Sequence, residues 1–223
     1  MLSARELRAI LKRRADNTFS QLGLTRASNA SFMYYREMDD GVLGFLGFGL
    51  SNFGIKGVLY INVSFCVVNK NVQKLFLSLF GLKDYDGYIN NPMENLDCLV
   101  EGKSYNDLTW KVKEEEDINE AIGEIVYYYT NYINPFFNQF NSWEKYSFAV
   151  KDYKIDRSGR NYILPIIYYL EGNLDRALEY ITQRAKDTKA YSNKSDELFI
   201  KNFRIMCQTQ TIDKPLLPDA EKN

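Results

Sequence analysis

Carboxylates are the only side chains here that are numerous and clustered enough to suggest chemistry. They stand together at Asp39-Asp40, Asp84 and Asp86, Glu114–Asp117, and Asp152 with Asp156. Two carboxyl groups brought together in space suffice for glycoside hydrolysis, one as acid and one as base or nucleophile. Sequence spacing does not bring any two of these together. Asp84-Tyr85-Asp86-Gly87 has the opening of a calcium loop, but no full D-x-D-x-D-G with a distal Glu follows. The other chemistries are missing a partner. The chain has no histidine, and so no Ser-His-Asp triad, Cys-His pair or His-bearing metal site. Cys66, Cys98 and Cys207 are far apart, odd in number and outside any CxxC spacing. They read as reduced, mostly buried thiols without a base or cation beside them in sequence. Gly41, Gly44, Gly47 and Gly49 match neither GxGxxG nor GxxxxGKS and precede no helix start. A phosphate loop needs that context, so the glycines are expected to mark a bulge, a bend or a close backbone approach in a strand. No catalytic residue, cofactor or metal site is therefore assigned.

Composition points to contact instead. Of 223 residues, 45% are hydrophobic and 15% aromatic, with 17 Tyr and 2 Trp. Such a chain can bury a core, and tyrosine suits half-buried surfaces and interfaces. Net charge is −1 and the sequence pI about 5.7, so no field attracts nucleic acid or anionic lipid. Tyr34, Tyr35 and Tyr60 could stack bases, but an RNP-like pattern is absent. No apolar stretch is long enough to span a bilayer, and no leader with an apolar core is seen at Met1–Arg14. The expectation is a cytoplasmic protein.

The elements that must position any site follow from periodicity. Residues 3–16 read as a helix with Ser3 as N-cap, Glu6 completing a capping box, and Leu7, Ile10 and Leu11 as the apolar stripe. Gly23 is the expected stop. Strands are expected at 31–38, 42–53, 58–68 and 108–113, with turns at Asp39-Asp40-Gly41 and Gly54-Ile55-Lys56-Gly57. In the clearest of them Leu59, Ile61, Val63, Phe65 and Val67 alternate with Tyr60, Asn62, Ser64 and Cys66, which predicts one apolar and one mixed face. A short helix is expected at 72–80 and a covering loop at 82–104. A long helix begins at the acidic run 114–117 and should end or kink at Pro135. Further helices are expected at 143–151, 161–170, 174–186 and 196–209.

This order predicts an α+β fold: an antiparallel sheet of about four strands with helices packed on one face, followed by a C-terminal helical hairpin or small bundle. The expected division is 1–152, a helical extension at 160–212 packed on it, and a flexible tail at 213–223.

Residues 164–181, LPIIYYLEGNLDRALEYI, resemble the centre of a tetratricopeptide helical hairpin. Gly172 is the turn, Ala177 the small residue at the close approach, and Tyr169, Leu174 and Leu178 fill around it. The family's early Trp and Leu-Gly are missing, and one copy does not make a solenoid. The resemblance implies helix-pair geometry and, by analogy, protein binding. The layout of residues 1–150 is similar to a group of uncharacterised bacterial α+β domains of unknown function. The shared features are a leading helix, the turn QLGLTR at Gln21–Arg26, aromatic strands and an acidic-capped helix ending near a proline. Some small α+β proteins of this look are immunity proteins that neutralise a toxin, and the resemblance carries no catalytic residue.

The reading that follows is a macromolecular interaction protein, protein-binding and without catalysis, immunity-like or scaffolding. Its partner is another protein, with a second copy of the chain as a further option and no nucleic acid or membrane. Tyr34, Tyr60, Asn62, Tyr168 and Tyr169 are the expected contact residues, from aromatic alternation on a half-polar strand and from the hairpin. The alternative is a small enzyme or ligand-binding domain. Its carboxylate- and Tyr-lined pocket would sit between the glycine-rich strand 41–54 and the 82–104 loop, where missing side chains leave room.

Overall fold

The computed structural model describes residues 2–28, 31–82, 94–152, 160–186 and 194–209. The expected loop residues 83–93, the link 153–159 and the tail from 210 lie outside the described residues. The chain divides into two compact units, Met1–Asn69 with Asn91–Tyr146, and Lys70–Asn90 with Ser147–Asn223. This differs from a division near residues 152–160. A helix expected within the first domain groups instead with the C-terminal helices, and the later boundary falls inside a helix.

The first unit opens with α1 (Ala4–Gln21), capped as expected: Ser3 accepts from the Glu6 amide, and the Glu6 carboxylate accepts from the Ser3 amide at 2.7 Å. Leu7, Leu11, Ala15 and Phe19 form its fully buried stripe. Gly23, at φ 77°, ends it. The sheet contains β1 (Thr25–Arg26), β2 (Met33–Glu37), β3 (Val42–Ser51), β4 (Leu59–Asn69), β5 (Glu94–Asn95) and β6 (Thr109–Val112), all pairings antiparallel. The expected count of about four strands becomes six, because β1 and β5 are two residues long and too short to show alternation. One edge of β4 pairs with β3 from Tyr60 to Asn69, and the other is shared end to end by β6 and β5.

Cross-strand partners share a face. Tyr34, Leu46 and Phe65 are in register, as are Phe48 with Val63 and Ile61 with Trp110. This is the apolar face, and α1 lies on it: Phe19 meets Tyr34 at 5.2 Å and Phe48 at 5.5 Å. A second helix, α3 (Glu115–Tyr128), buries Ile118, Ala121, Ile122 and Ile125. Glu114 and Asp117 cap its start reciprocally. Pro135 does not end the helical path. Tyr129–Ile133 form a π-turn, whose wider spacing passes the chain into α4 (Asn134–Asn138) with Pro135 in the first turn, where its missing N–H costs nothing.

The glycine-rich strand is a close-approach strand. A Cβ on Gly44 would stand 2.5 Å from the ring of Phe137, which is fully buried, and a Cβ on Gly49 would stand 2.0 Å from Asn62 Oδ1. Gly44→Ala is expected to lower stability by about 1–3 kcal/mol through overpacking. Denaturant midpoints for this variant and for Gly44→Ala/Phe137→Leu check the cause, since the smaller partner should restore part of the loss.

The second unit holds α2 (Lys70–Leu79), α6 (Arg160–Leu170), α7 (Leu174–Lys186), α8 (Lys194–Thr209) and the end of α5 (Trp143–Lys151). Gly172, at φ 76°, makes the α6–α7 turn, and Ala177 is fully buried. The core is aromatic: Phe199 lies 5.2 Å from Phe80, 5.1 Å from Tyr162 and 5.9 Å from Phe203. The buried Asp196 accepts a hydrogen bond from the Tyr162 phenol.

Candidate functional site

The β3–β4 hairpin end carries exposed apolar side chains, Phe53 and Ile55. Asn52 and Ser51 shape the turn by accepting from the Gly54 and Phe53 amides, each at 3.2 Å. Gly54 and Gly57 take positive φ as their type allows. Phe53 takes it too, at φ 46°, with 72% of its surface exposed. A bulky residue in the left-handed region costs about 1–2 kcal/mol, and an exposed phenylalanine does little to offset that by burial. Its ring stands edge-on to Tyr60 at 5.1 Å. Ile55, 47% exposed, is on the same turn.

From the turn the open face of the sheet runs along β4. Lys111 Nζ lies 6.0 Å above the Tyr60 ring. The Asn62 amide covers the bare backbone of Gly49 and donates to the hydroxyl of Tyr105, itself 42% exposed. The result is a surface with apolar anchors at one end and a polar middle. Beside the turn is an open cleft of about 370 Å³ lined by Leu2, Ser3, Ala4, Glu6 and residues of 52–57. Its titratable side chains are Glu6 and Lys56. The Ser3 amide and hydroxyl hold the Glu6 carboxyl below its ordinary value, so this cleft carries a solvated ion rather than a poised acid.

Of the five expected contact residues, Tyr60 and Asn62 come together on this half-exposed face. The other three do not reach a surface. Tyr34 is 1% exposed: its phenol donates to Asp16 Oδ1 at 2.8 Å, and Arg26 holds the other carboxylate oxygen at 2.9 Å. Burial first, and then the Asp16 carboxylate, raise that phenol well above its ordinary value. Tyr34 falls on the side of β2 that faces α1, which alternation alone could not reveal. Tyr168 is 7% exposed beneath the Arg176 guanidinium at 4.8 Å, and Tyr169 is 8% exposed against Phe203 at 6.1 Å. Both are core residues of the helical unit. Phe53, Ile55 and Tyr105, exposed on or beside the same face, are not among those five. The available signal was a large apolar residue between Asn52 and Gly54, where turn chemistry favours small polar ones.

Beside the glycine strand, Phe137 stands against Gly44 and Asn62 against Gly49; the pocket expected between this strand and the 82–104 loop falls largely on residues 83–93, outside the described residues. No group of three or more His, Cys, Asp or Glu among the described residues is placed to hold a metal ion. Cys66 and Cys207 are buried, and burial pushes the Cys207 thiol up to about 11. Cys98 is the exposed one of the three, yet partial burial of its sulfur and then Glu94 raise its thiol as well. Neither Cys98 nor Cys207 is an activated thiolate. No helix among the described residues is long and apolar enough to cross a membrane. Compared with known proteins, the chain matches no family model, no curated protein and no solved structure.

Proposed function

We propose that this chain is a protein-binding protein of the cytoplasm that acts by contact, occluding a partner's working surface as immunity proteins do or holding partners together. One observation carries the reading: Phe53 is held out at the tip of the β3–β4 turn in a backbone conformation that disfavours it. Replacing it should help the isolated fold, so its value lies elsewhere. An exposed aromatic beside a second ring, rimmed by Asn62 and Lys111, has the make-up of an interface hot spot with its polar surround.

Phe53→Asn keeps the turn, because Asn tolerates the left-handed region, and removes the anchor. Stability is expected to stay level or rise by up to about 1 kcal/mol. Binding is expected to weaken by at least about 2 kcal/mol, roughly thirtyfold. Capture from the native host checks both the partner and the face. A protein retained in stoichiometric amount by the wild type and by Glu101→Gln, but lost with Phe53→Asn and Tyr60→Ala, supports the reading. Equal retention by all four, or no stoichiometric protein at all, removes it.

A further inference from the structure

The outer side of α3 is acidic. From Glu114 to Glu144 the sequence has carboxylates at 114–117, 120, 124 and 144, and no Lys or Arg. Much of the charge at the helix start is already used. Asp117 accepts from the Lys113 and Glu114 amides, and Glu115 takes the Arg14 guanidinium at 2.7 Å with Arg13 at 3.6 Å. What is left is a row. Glu116, Glu120 and Glu124 recur every four residues, opposite the buried Ile118, Ala121, Ile122 and Ile125, and all three are exposed. Glu116 and Glu120 enter no ion pair among the described residues.

The row ends in aromatic rings. Tyr127, 55% exposed, stands 5.4 Å from Tyr128 and 6.3 Å from Tyr132, and Trp110 is 6.1 Å from Tyr128. Glu124 accepts from the Trp110 indole at 2.9 Å, joining the acidic row to the rings. Between them Gly123 has nothing within 4 Å of where its Cβ would be, so a ligand chain can approach the helix backbone there. A mid-helix glycine otherwise costs about 1 kcal/mol relative to Ala.

We propose that this face is a second docking surface, separate from the hairpin, for a protein segment that presents arginine side chains. The charge complement is positive, and the row repels phosphate-bearing ligands. Guanidinium is favoured over ammonium because it both forks onto carboxylates and lies flat on aromatic rings. The fold shows the first half of that chemistry within itself, where two arginines of α1 meet Glu115. Spacing sets the register: carboxylates four residues apart on a helix are about 6 Å apart. Alternate residues of an extended chain are about 6.7 Å apart, so arginines at every second position match the row.

The test uses the full chain carrying Trp143→Phe, which leaves Trp110 as the fluorophore, and three short peptides. One has Arg at every second position, one has Lys there, and one has the same number of Arg at every third. The expected result is quenching of Trp110, with the first peptide binding at least fivefold tighter than either other. Glu116→Gln/Glu120→Gln should weaken it about tenfold, while Glu101→Gln and Phe53→Asn leave it unchanged. Tyr127→Ala should abolish the preference for Arg over Lys, and circular dichroism confirms that each variant is folded. Equal binding of the Arg and Lys peptides, indifference to Glu116→Gln/Glu120→Gln, or no binding overturns the proposal. So does self-association on sedimentation that Glu120→Gln abolishes, since the face would then take a second copy. Because Phe53→Asn is an arm of the test, failure here leaves the hairpin reading standing, and the converse.

Discussion

Phe199→Ala is expected to destabilise the helical unit by about 3–5 kcal/mol, much of the 5–15 kcal/mol that holds a typical domain together. Phe199 is fully buried, and four rings surround it: Phe80 and Tyr162 near 5 Å, Phe203 stacked at 5.9 Å and Phe76 at 6.4 Å. Truncation therefore loses the transfer energy of a large ring and leaves a void lined by rigid aromatics that cannot collapse into it. The loss falls on three helices at once, because Phe76 is on α2, Tyr162 on α6 and Phe203 on α8. Hydrogen exchange should show protection falling together in α2, α6 and α8. Phe199→Leu should retain well over half of the lost stability. A measured loss below about 1 kcal/mol for the alanine variant would mean that the ring cluster does not organise this unit.

The protein is expected to weaken steeply above about pH 10, and two phenols account for much of it. Tyr34 is raised above its ordinary value by burial and then by the Asp16 carboxylate it donates to; Tyr162 is raised by burial and then by Asp196. In the folded chain both keep their proton to higher pH than in the unfolded chain. Their stabilisation is thus complete below the unfolded value near 10 and is lost as pH climbs toward the folded one, because the unfolded state releases its proton first. Each contributes a slope of about 1.4 kcal/mol per pH unit in that window. Tyr34 belongs to the sheet unit and Tyr162 to the helical unit, so Tyr34→Phe should flatten the alkaline limb of the first and Tyr162→Phe that of the second. Denaturant midpoints from about pH 8 to about pH 11 measure this, with phenolate absorbance showing that these two rings titrate only on unfolding. A flat profile would sink the assignment.

The parts legible in the sequence are those set by local rules. The Ser3–Glu6 capping box, the stop at Gly23 and the alternation of Leu59 to Val67 each depend on neighbours within a few residues, and all appear in the structure. Gly44 and Gly49 announced a close approach without naming what approaches, since Phe137 is far along the chain. The site was less legible. Tyr60 and Asn62 were reachable because their strand alternates cleanly, with one face plainly apolar. Tyr34 alternates as well, but nothing local says which side α1 will cover. Tyr168 and Tyr169 stand beside each other in sequence, yet both are shielded, because α7 and α8 close over different sides of α6. Phe53 is not legible in the sequence, because a turn is recognised by its glycines and asparagines while the peculiarity of Phe53 is a backbone angle.

The route of the chain through its two units has a consequence for biosynthesis. β4 runs straight into α2, so the polypeptide leaves the sheet unit at Asn69, re-enters it at Asn91 and leaves again after Tyr146. On the ribosome, β4 therefore waits for β6 to emerge some forty residues later, and α2 waits far longer for Tyr162 and Phe199. The nascent segment 70–80, with Phe76 and Phe80 bare, exposes apolar surface of the kind chaperones cover.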